Sequence, residues 1–474
     1  MTGVQRAVNG GWEQLVPQAG GTAVAPEVDA VPLAPDALCT PMIDGSVAGQ
    51  LCRLTLPVAW GILALLGYRL VEAWLVGQLG PGALAAISFA FPVTMVVLSL
   101  SIGLGAGASS VIARALGAGE AGVPRLVADA LLLTLAMGAV CAVAGMAGAD
   151  GLARLLGAPP DLAPAIALYL RVWFPSAILI LVASVGLSAA RAVGDAAFQG
   201  LAMAASSLLN LALAPVAILG AFGHPGLGLI GAPVSSALAW VPLLAATLWR
   251  LHRLRILSFE QLRWGEFLVS SQRILAVGLP AAATNTVIPV SAAVITKLLA
   301  GFGADVVAGF GLGTRVESVA MVGFFALSAV MNPFAGQNAG AGRPARVREA
   351  MRVTAWFCGL SGLALAAGLF LARFWIATRF TTDPAVLRAA ELYLALVPIS
   401  YGPAGVIAVA NAAFNGLNRP MAAVVVSVSR TMLVNVPVAC LGGWLFGVPG
   451  VFLGICLTNI VVGVASFVWV IRTT

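Results

Sequence analysis

The stretch MNPFAGQNAGAGRPARV, Met331 to Val347, joins an apolar run to an abrupt arginine cluster, and a fainter twin, SSVIARALGAGEAGVPR, occupies Ser109 to Arg125. Displacing the chain on itself by 223 positions lays Gly117, Ala118 and Gly119 on Gly340, Ala341 and Gly342, and Arg125 on Arg348. The same shift holds far upstream without a gap: Leu56 and Pro57 meet Leu279 and Pro280, Gly80 meets Gly303, and Val93 meets Val316. A register kept over that length points to a duplicated unit rather than chance Gly/Ala composition.

Composition decides the solvent. Of 474 residues, 60% are hydrophobic and 9% charged, with a mean hydropathy of +1.01, which is more apolar surface than one water-soluble core can hide. Intervals 73–113, 196–249 and 431–471 contain no Asp, Glu, Lys or Arg, and each is long enough for two helical crossings. Each also holds a turn signal: Leu79-Gly80-Pro81-Gly82, Gly223-His224-Pro225-Gly226 and Gly447-Val448-Pro449-Gly450. Membrane strands would show alternating polar faces of about ten residues, which are absent. The expectation is an all-α membrane protein with twelve transmembrane helices in two six-helix lobes related by the internal repeat.

Residues 1–48 are rich in Pro, Gly and acids and read as a disordered cytoplasmic tail. They lack the features of a secretory signal, so the first span, from about Leu51, is expected to be retained. The N-terminal lobe then covers 49–250, a polar cytoplasmic linker 251–272, and the C-terminal lobe 273–474. The net charge of +7 rests almost wholly on arginine, Lys297 being the sole lysine. In so apolar a chain this balance orients loops at an anionic bilayer face and does not signal nucleic acid. Arg114, Arg125, Arg250, Arg253, Arg343 and Arg346 are among many arginines on one set of connections, against Arg154, Lys297, Arg373, Arg379 and Arg388 on the other. The bias predicts that the first set and both termini face the cytoplasm. Arginine used in place of lysine suits a GC-rich, bacterial genome and hence the bacterial inner (plasma) membrane. The six cysteines show no CxxC spacing and read as small apolar residues, with no metal site and no cofactor expected.

PFAGQNAGAGRPARV resembles the C-terminal-half signature of the multidrug and toxic compound extrusion (MATE) transporters, and LVEAWLVGQLGPGALAA, Leu70 to Ala86, resembles their first-helix-and-loop pattern. ARAVGDAAFQ (Ala190 to Gln199) and GLIGAPVSS (Gly228 to Ser236) fall in order where family counterparts would. The likeness covers about residues 51–472 and is most similar to the bacterial DNA-damage-inducible branch. It implies a monomer with two lobes around a central cleft that opens to either side in turn, exporting organic, often cationic, drug-like compounds against proton or sodium entry. A lipid-linked precursor flippase of the same superfamily is the alternative; Arg69, Arg315 and Arg430 gathered on one lumen would favour it. An enzyme is not expected: the acids are dispersed, the only histidines are His224 and His252, and neither GAGE nor GAGR leads into a Lys-Ser/Thr phosphate loop.

Polar groups that break the repeat are the candidates for chemistry. Glu72 maps onto Ile295 and Arg69, one turn earlier, onto Ala292. A carboxylate deep in a helix costs about 2.5–3.5 kcal/mol on insertion scales and needs a partner, a proton or a cation. A static Glu72/Arg69 pair at i, i+3 is one reading; a carboxyl that loads and releases a proton is the other. The resemblance usually places Asp at this position. It also suggests Asn, three residues, Asp, Pro in the segment around Asn210; here Ala214 stands where the second carboxylate would be, which weakens a sodium site and leaves the proton favoured. Asn210 and Ser236, beside Ser235, complete the coupling candidates. Tyr68, Thr284, Asn285 and Asn411 are candidates for lining the substrate cleft, and Arg315, Glu317 and Arg430 each require a partner within the membrane.

Overall fold

The computed structural model describes residues 42–221, 224–260 and 263–474, so most of the predicted tail lies outside the described residues. Helices α1 (Val47–Gly77), α2 (Pro81–Gly117), α3 (Val123–Ala147), short α4 (Ala149–Leu155), α5 (Ala163–Ala192), α6 (Ala196–Leu219) and α7 (Gly231–Arg253) come first. They are followed by α8 (Trp264–Ala300), α9 (Ala304–Ala320), α10 (Val322–Gly340), α11 (Pro344–Thr378), α12 (Pro384–Leu396), α13 (Tyr401–Gly416), α14 (Pro420–Val428) and α15 (Val436–Thr473). A 3-10 turn, Val397–Ser400, joins α12 to α13, and a π-helix, Ser429–Asn435, joins α14 to α15. Strand pairing among the described residues is confined to Gly220–Ala221 against His224–Pro225, at the predicted turn between α6 and α7.

Among the described residues, ten helical runs are long and apolar enough to cross a bilayer, or eleven if α9 and α10, bent by 49° at their junction, are one span. Helices satisfy every backbone group internally, which lipid demands. Their outer faces carry side chains such as Trp60, Leu371 and Trp444, 66%, 82% and 81% exposed, which together form an apolar surface that only lipid would solvate. The protein is a multi-pass membrane protein.

Turns fall where glycine permits them. Gly80 (φ 104°) precedes Pro81, the first residue of α2, and Gly303 (φ 125°), its partner at the 223 shift, precedes α9. Gly119 (φ 73°) and Gly342 (φ 67°), also shift partners, follow α2 and α10. The last apolar run extends 54 residues, Pro420–Thr473, about twice what one crossing needs. It folds back inside α15: Gly447 is non-helical (φ 65°, ψ −147°), and Gly442 packs on Gly450 as Ala439 packs on Gly454, an antiparallel hairpin.

Two features of the packing position the site. Gly200 on α6 lies against the Pro57 backbone of α1, with no room for a Cβ, so α1 and α6 cross in direct contact. Further along, Tyr68, Leu75 and Val76 of α1 share a core with Ala214 and Ile218 of α6 and Ala232 of α7. The opposite end of α1 belongs elsewhere: Leu51, Leu54 and Val58 share a core with Met331 and Phe334 of α10 and Val347 of α11. Residues 47–253 and 264–473 meet through small side chains, Gly103 and Gly107 of α2 against Gly278 of α8, and Gly117 of α2 against Gln337 of α10. Among the described residues, the side-chain hydrogen bonds between these two stretches lie towards the bundle end that carries Arg114, Arg125, Arg343 and Arg346, the arginine-rich face.

Segment boundaries shift from the sequence reading. The first helix begins at Val47, not near Leu51, and Met42, assigned to the tail, is buried and hydrogen-bonded to Gln337 and Asn338. The linker assigned to 251–272 loses both ends to helix, because α7 runs to Arg253 and α8 begins at Trp264 with Glu266 in its first turn. A helical ladder does not stop where hydrophobicity does: a carboxylate near the first N–H groups is favourable outside the apolar zone.

Candidate ion-coupling site

Glu72, Tyr68 and Arg69 occupy consecutive turns of one face of α1, a spacing dictated by 3.6 residues per turn. The α1–α6 crossing and the α6–α7 pairing bring Asn210 and Ser236 to the same place. Asn210 Nδ2 donates to Ser236 Oγ at 3.1 Å, Ser236 Oγ and Tyr68 Oη are 3.1 Å apart, and Tyr68 Oη donates to Glu72 Oε1 at 2.6 Å. Arg69 donates to the other oxygen, Glu72 Oε2, at 3.0 Å. One assignment of protons satisfies all of these distances. With the amide N–H directed at Ser236, the serine proton points to Tyr68 and the tyrosine proton to Glu72, so every donor in the chain faces the carboxylate.

Both readings of Glu72 have a physical basis here. The ion pair with Arg69 exists, and Glu72 is 12% exposed against 44% for Arg69. A static pair would not require the buried chain behind Tyr68, however. Tyr68 and Asn210 are 4% and 2% exposed, and Asn210 Oδ1 has no hydrogen-bond partner among the described residues. Turned towards Ser236, that acceptor would take a hydrogen bond from the serine hydroxyl, and the chain of donors could run the other way, from a protonated Glu72 to Tyr68 to Ser236. Ala214, at the position where the family likeness suggests a second carboxylate, is fully buried in the core that holds Tyr68. The group thus offers one carboxylate, two hydroxyls and an amide carbonyl, and it borders a small cavity also lined by Met203, Ser206, Ser207 and Trp240.

Ser206 and Ser207 were missed in the sequence, although they precede Asn210 by four and three positions and so share its helix face. The predicted cleft residues on other helices do not join the network. Thr284 and Asn285 of α8 bond the carbonyls of Pro280 and Ala281 on their own helix, and Asn411 of α13 donates to Ser427 of α14 at 2.9 Å. Of the other membrane charges, Glu317 and Arg430 find partners away from Glu72, whereas Arg315, expected to need one, is exposed on α9 and has no hydrogen bond or ion pair among the described residues. Glu317 of α9 accepts from the Tyr393 hydroxyl of α12, while Arg430, inside the π-helix, donates to Asn459 Oδ1 at 3.1 Å and Asn459 in turn donates to Ser400 Oγ at 2.9 Å. Among the described residues, no group of three or more His, Cys, Asp or Glu side chains could hold a metal ion.

Comparison with known proteins identifies the architecture. The chain is 33% identical over 432 residues to the FAD transporter of Shewanella oneidensis, spanning 90% of this chain and 95% of that one. It is 26% identical over 421 residues to the probable multidrug resistance protein YoeA of Bacillus subtilis, covering 85% and 89% of the two chains. The crystal structure of the Vibrio cholerae MATE transporter VcmN in the bent form superposes with a TM-score of 0.85 at 29% identity, over 90% of this chain and 97% of that one. The MatE family profile matches residues 57–216 and 280–441, two blocks whose starts are separated by the same 223 positions as the internal repeat. The chain belongs to the MatE family and is a multi-pass membrane transporter of that family.

Proposed function

We propose that the protein is a secondary active exporter in which small organic compounds leave the cell in exchange for entering protons, with Glu72 as the proton-carrying group. The carrying observation is the convergence of Tyr68, and through it Ser236 and Asn210, on one carboxylate whose other oxygen is held by Arg69. Hydrogen bonds to a charged group contribute about 1.5–3 kcal/mol each, enough to offset a buried carboxylate's insertion cost of about 2.5–3.5 kcal/mol. Protonating Glu72 removes the reason for the donors to face it. The difference between the loaded and unloaded networks is then the free energy available to bias α1, α6 and α7 between two arrangements.

Proton coupling is favoured over sodium by the donor set, because buried Ala214 contributes no oxygen and one carboxylate remains. The hairpin in α15, counted with the bent α9–α10 pair as one span, supports twelve crossings and two six-helix lobes. Contacts between the lobes that gather on the arginine-rich face support a cleft open on the opposite side. The arginine bias supports a cytoplasmic position for that face and for both termini, in a bacterial inner membrane, and a single chain contains the whole site.

The relatives suggest two substrate classes: drug-like compounds, after the multidrug resistance proteins, and a flavin dinucleotide, after the 33% identical FAD transporter. We favour the first as the general class and take the second as the specific alternative. In everted vesicles energised with a proton gradient, adding a drug-like cation is expected to release protons. Glu72→Gln should insert and bind drug normally yet abolish that release. Unchanged release from Glu72→Gln would refute the coupling role, dependence on sodium rather than choline would replace the proton, and FAD-driven release without drug-driven release would select the second substrate class.

A further inference from the structure

Helix α1 begins in a seat built by the duplicated motif. The Met42 amide donates to Gln337 Oε1 at 2.7 Å, and Asn338 Nδ2 donates to the Met42 carbonyl at 3.0 Å. Arg343 donates to the Ile43 carbonyl at 2.6 Å and to Asp44 Oδ1 at 2.9 Å, and Arg346 to the Gly45 carbonyl at 2.9 Å and Gln50 Oε1 at 3.3 Å. The seat is braced from within, because Asn338 also donates to its own Phe334 carbonyl and accepts from Arg346 Nε. Gln337 and Asn338 are 1% and 0% exposed, and the Met42 side chain, 2% exposed, enters the core that holds Met331 and Phe334. Met42 to Gly45 form no helix or strand, so these carbonyls have no partner in regular structure of their own. They are met as a bound peptide's would be.

Gln337 has a second bond, from Nε2 to the carbonyl of Ala192, the last residue of α5, at 2.7 Å. One carboxamide thus joins α10, the leader of α1 and the end of α5. Arg114, which the 223 shift lays on Gln337, reaches the opposite way: it donates to the Gly416 carbonyl at 3.3 Å while Ser110 donates to that of Asn415 at 2.5 Å, at the end of α13. The two cross-links are repeat partners. Among the described residues, the Gln337 side has a non-helical, turn-forming peptide seated on it; on the Arg114 side the ion pairs Arg125–Glu266 and Arg273–Glu120 bring in α8 directly.

We propose that Gln337, Asn338, Arg343 and Arg346 form a binding site for the chain's own Met42–Gly45 segment, and that its occupation holds the arginine-rich face shut. This rests on the alternating-access reading, in which that face must also open. The segment leads into α1, from the first half, and the seat lies on α10 and α11, from the second; the halves cannot part there while the peptide is bound. The role also accounts for the polar content of the QNAGAGR stretch, which the Glu72 network does not use.

The test places spin labels at His252→Cys on α7 and Glu349→Cys on α11, both exposed at that face, in a chain whose native cysteines are replaced. Distances are measured by double electron–electron resonance in lipid nanodiscs. The full chain and a chain starting at Met42 should give one short, narrow distribution. A chain lacking residues 1–45, and separately Arg343→Ala/Arg346→Ala, should each add a longer population. If either variant aggregates, the other supplies the same measurement. Distributions unchanged by loss of the segment or of the arginines would overturn the proposal, as would widening in the chain that starts at Met42. The readout needs no substrate and no gradient, so failure of the exporter reading, seen as absent drug-driven proton release in vesicles, is separable from failure of this one.

Discussion

Tyr68 occupies the decisive position in the proposed coupling site, since among the described residues it alone touches both the carboxylate and the hydroxyl that leads to Asn210. Removing members of the chain should therefore have graded effects. Glu72→Gln eliminates the acid, and drug-driven proton release should vanish. Tyr68→Phe keeps Glu72 and Arg69 but cuts the relay, and release should fall roughly a hundredfold or more, within the range that positioned proton transfer contributes. Ser236→Ala leaves both partners of Glu72 in place and should fall least. Initial rates of proton release in everted vesicles, normalised to inserted protein, check the order; a Ser236→Ala loss as large as that of Tyr68→Phe would show that the chain is not conducting through tyrosine. Each hydroxyl deletion should cost only about 1 kcal/mol of stability, so reduced insertion is not the expected cause. The sequence disclosed Glu72 because a carboxylate amid apolar residues is conspicuous. It disclosed Asn210 and Ser236 only through the family likeness, since an amide or hydroxyl in a membrane helix more often just packs. Glu317 was equally visible as a charge, but its partner Tyr393, 76 positions away, could not be read from spacing on one helix.

Close crossings rather than charge set the geometry of α1, α6 and α7. Gly200 faces the Pro57 backbone, which cannot yield as a flexible side chain would, whereas Gly311 on α9 has nothing near the position of an added Cβ. Gly200→Ala should force α1 and α6 apart, costing about 1–3 kcal/mol as overpacking and pulling Tyr68 from Ser236. Gly311→Ala should be neutral or gain up to about 1 kcal/mol from helix propensity. Thermal unfolding in detergent checks both, and equal midpoints for the two variants would contradict the direct-contact picture. Element ends were less legible than element existence. Arg191, a charge that would ordinarily mark a loop, is 7% exposed at the end of α5 and donates to Gln199 at 2.6 Å, a local pairing that hydropathy cannot register. The docking of Met42 depends on side chains 295 positions distant, so composition assigned it to the tail.

At the scale of the whole molecule, the number of crossings turns on Gly447. The turn signal Gly447-Val448-Pro449-Gly450 was readable, and the positive φ of Gly447 with the mutual packing of Gly442 and Gly450 gives it a physical basis, since close approach of two helix backbones needs both Cβ atoms absent. If the chain reverses there, the run from Pro420 to Thr473 crosses twice and Thr474 returns to the side on which that run begins. If it does not reverse, the terminus emerges on the other side. A fluorescent protein fused after Thr474 matures only in the cytoplasm, and alkaline phosphatase fused there is active only outside it. With the arginine-rich face inward by the positive-inside bias, the fluorescent fusion should be bright and the phosphatase fusion inactive. A small epitope inserted between Gly447 and Val448 should meanwhile be reached by antibody from the outer face of spheroplasts. Phosphatase activity at Thr474 together with an inaccessible epitope would mean one crossing, an odd total, and a C-terminal half without the sixth helix that the repeat requires.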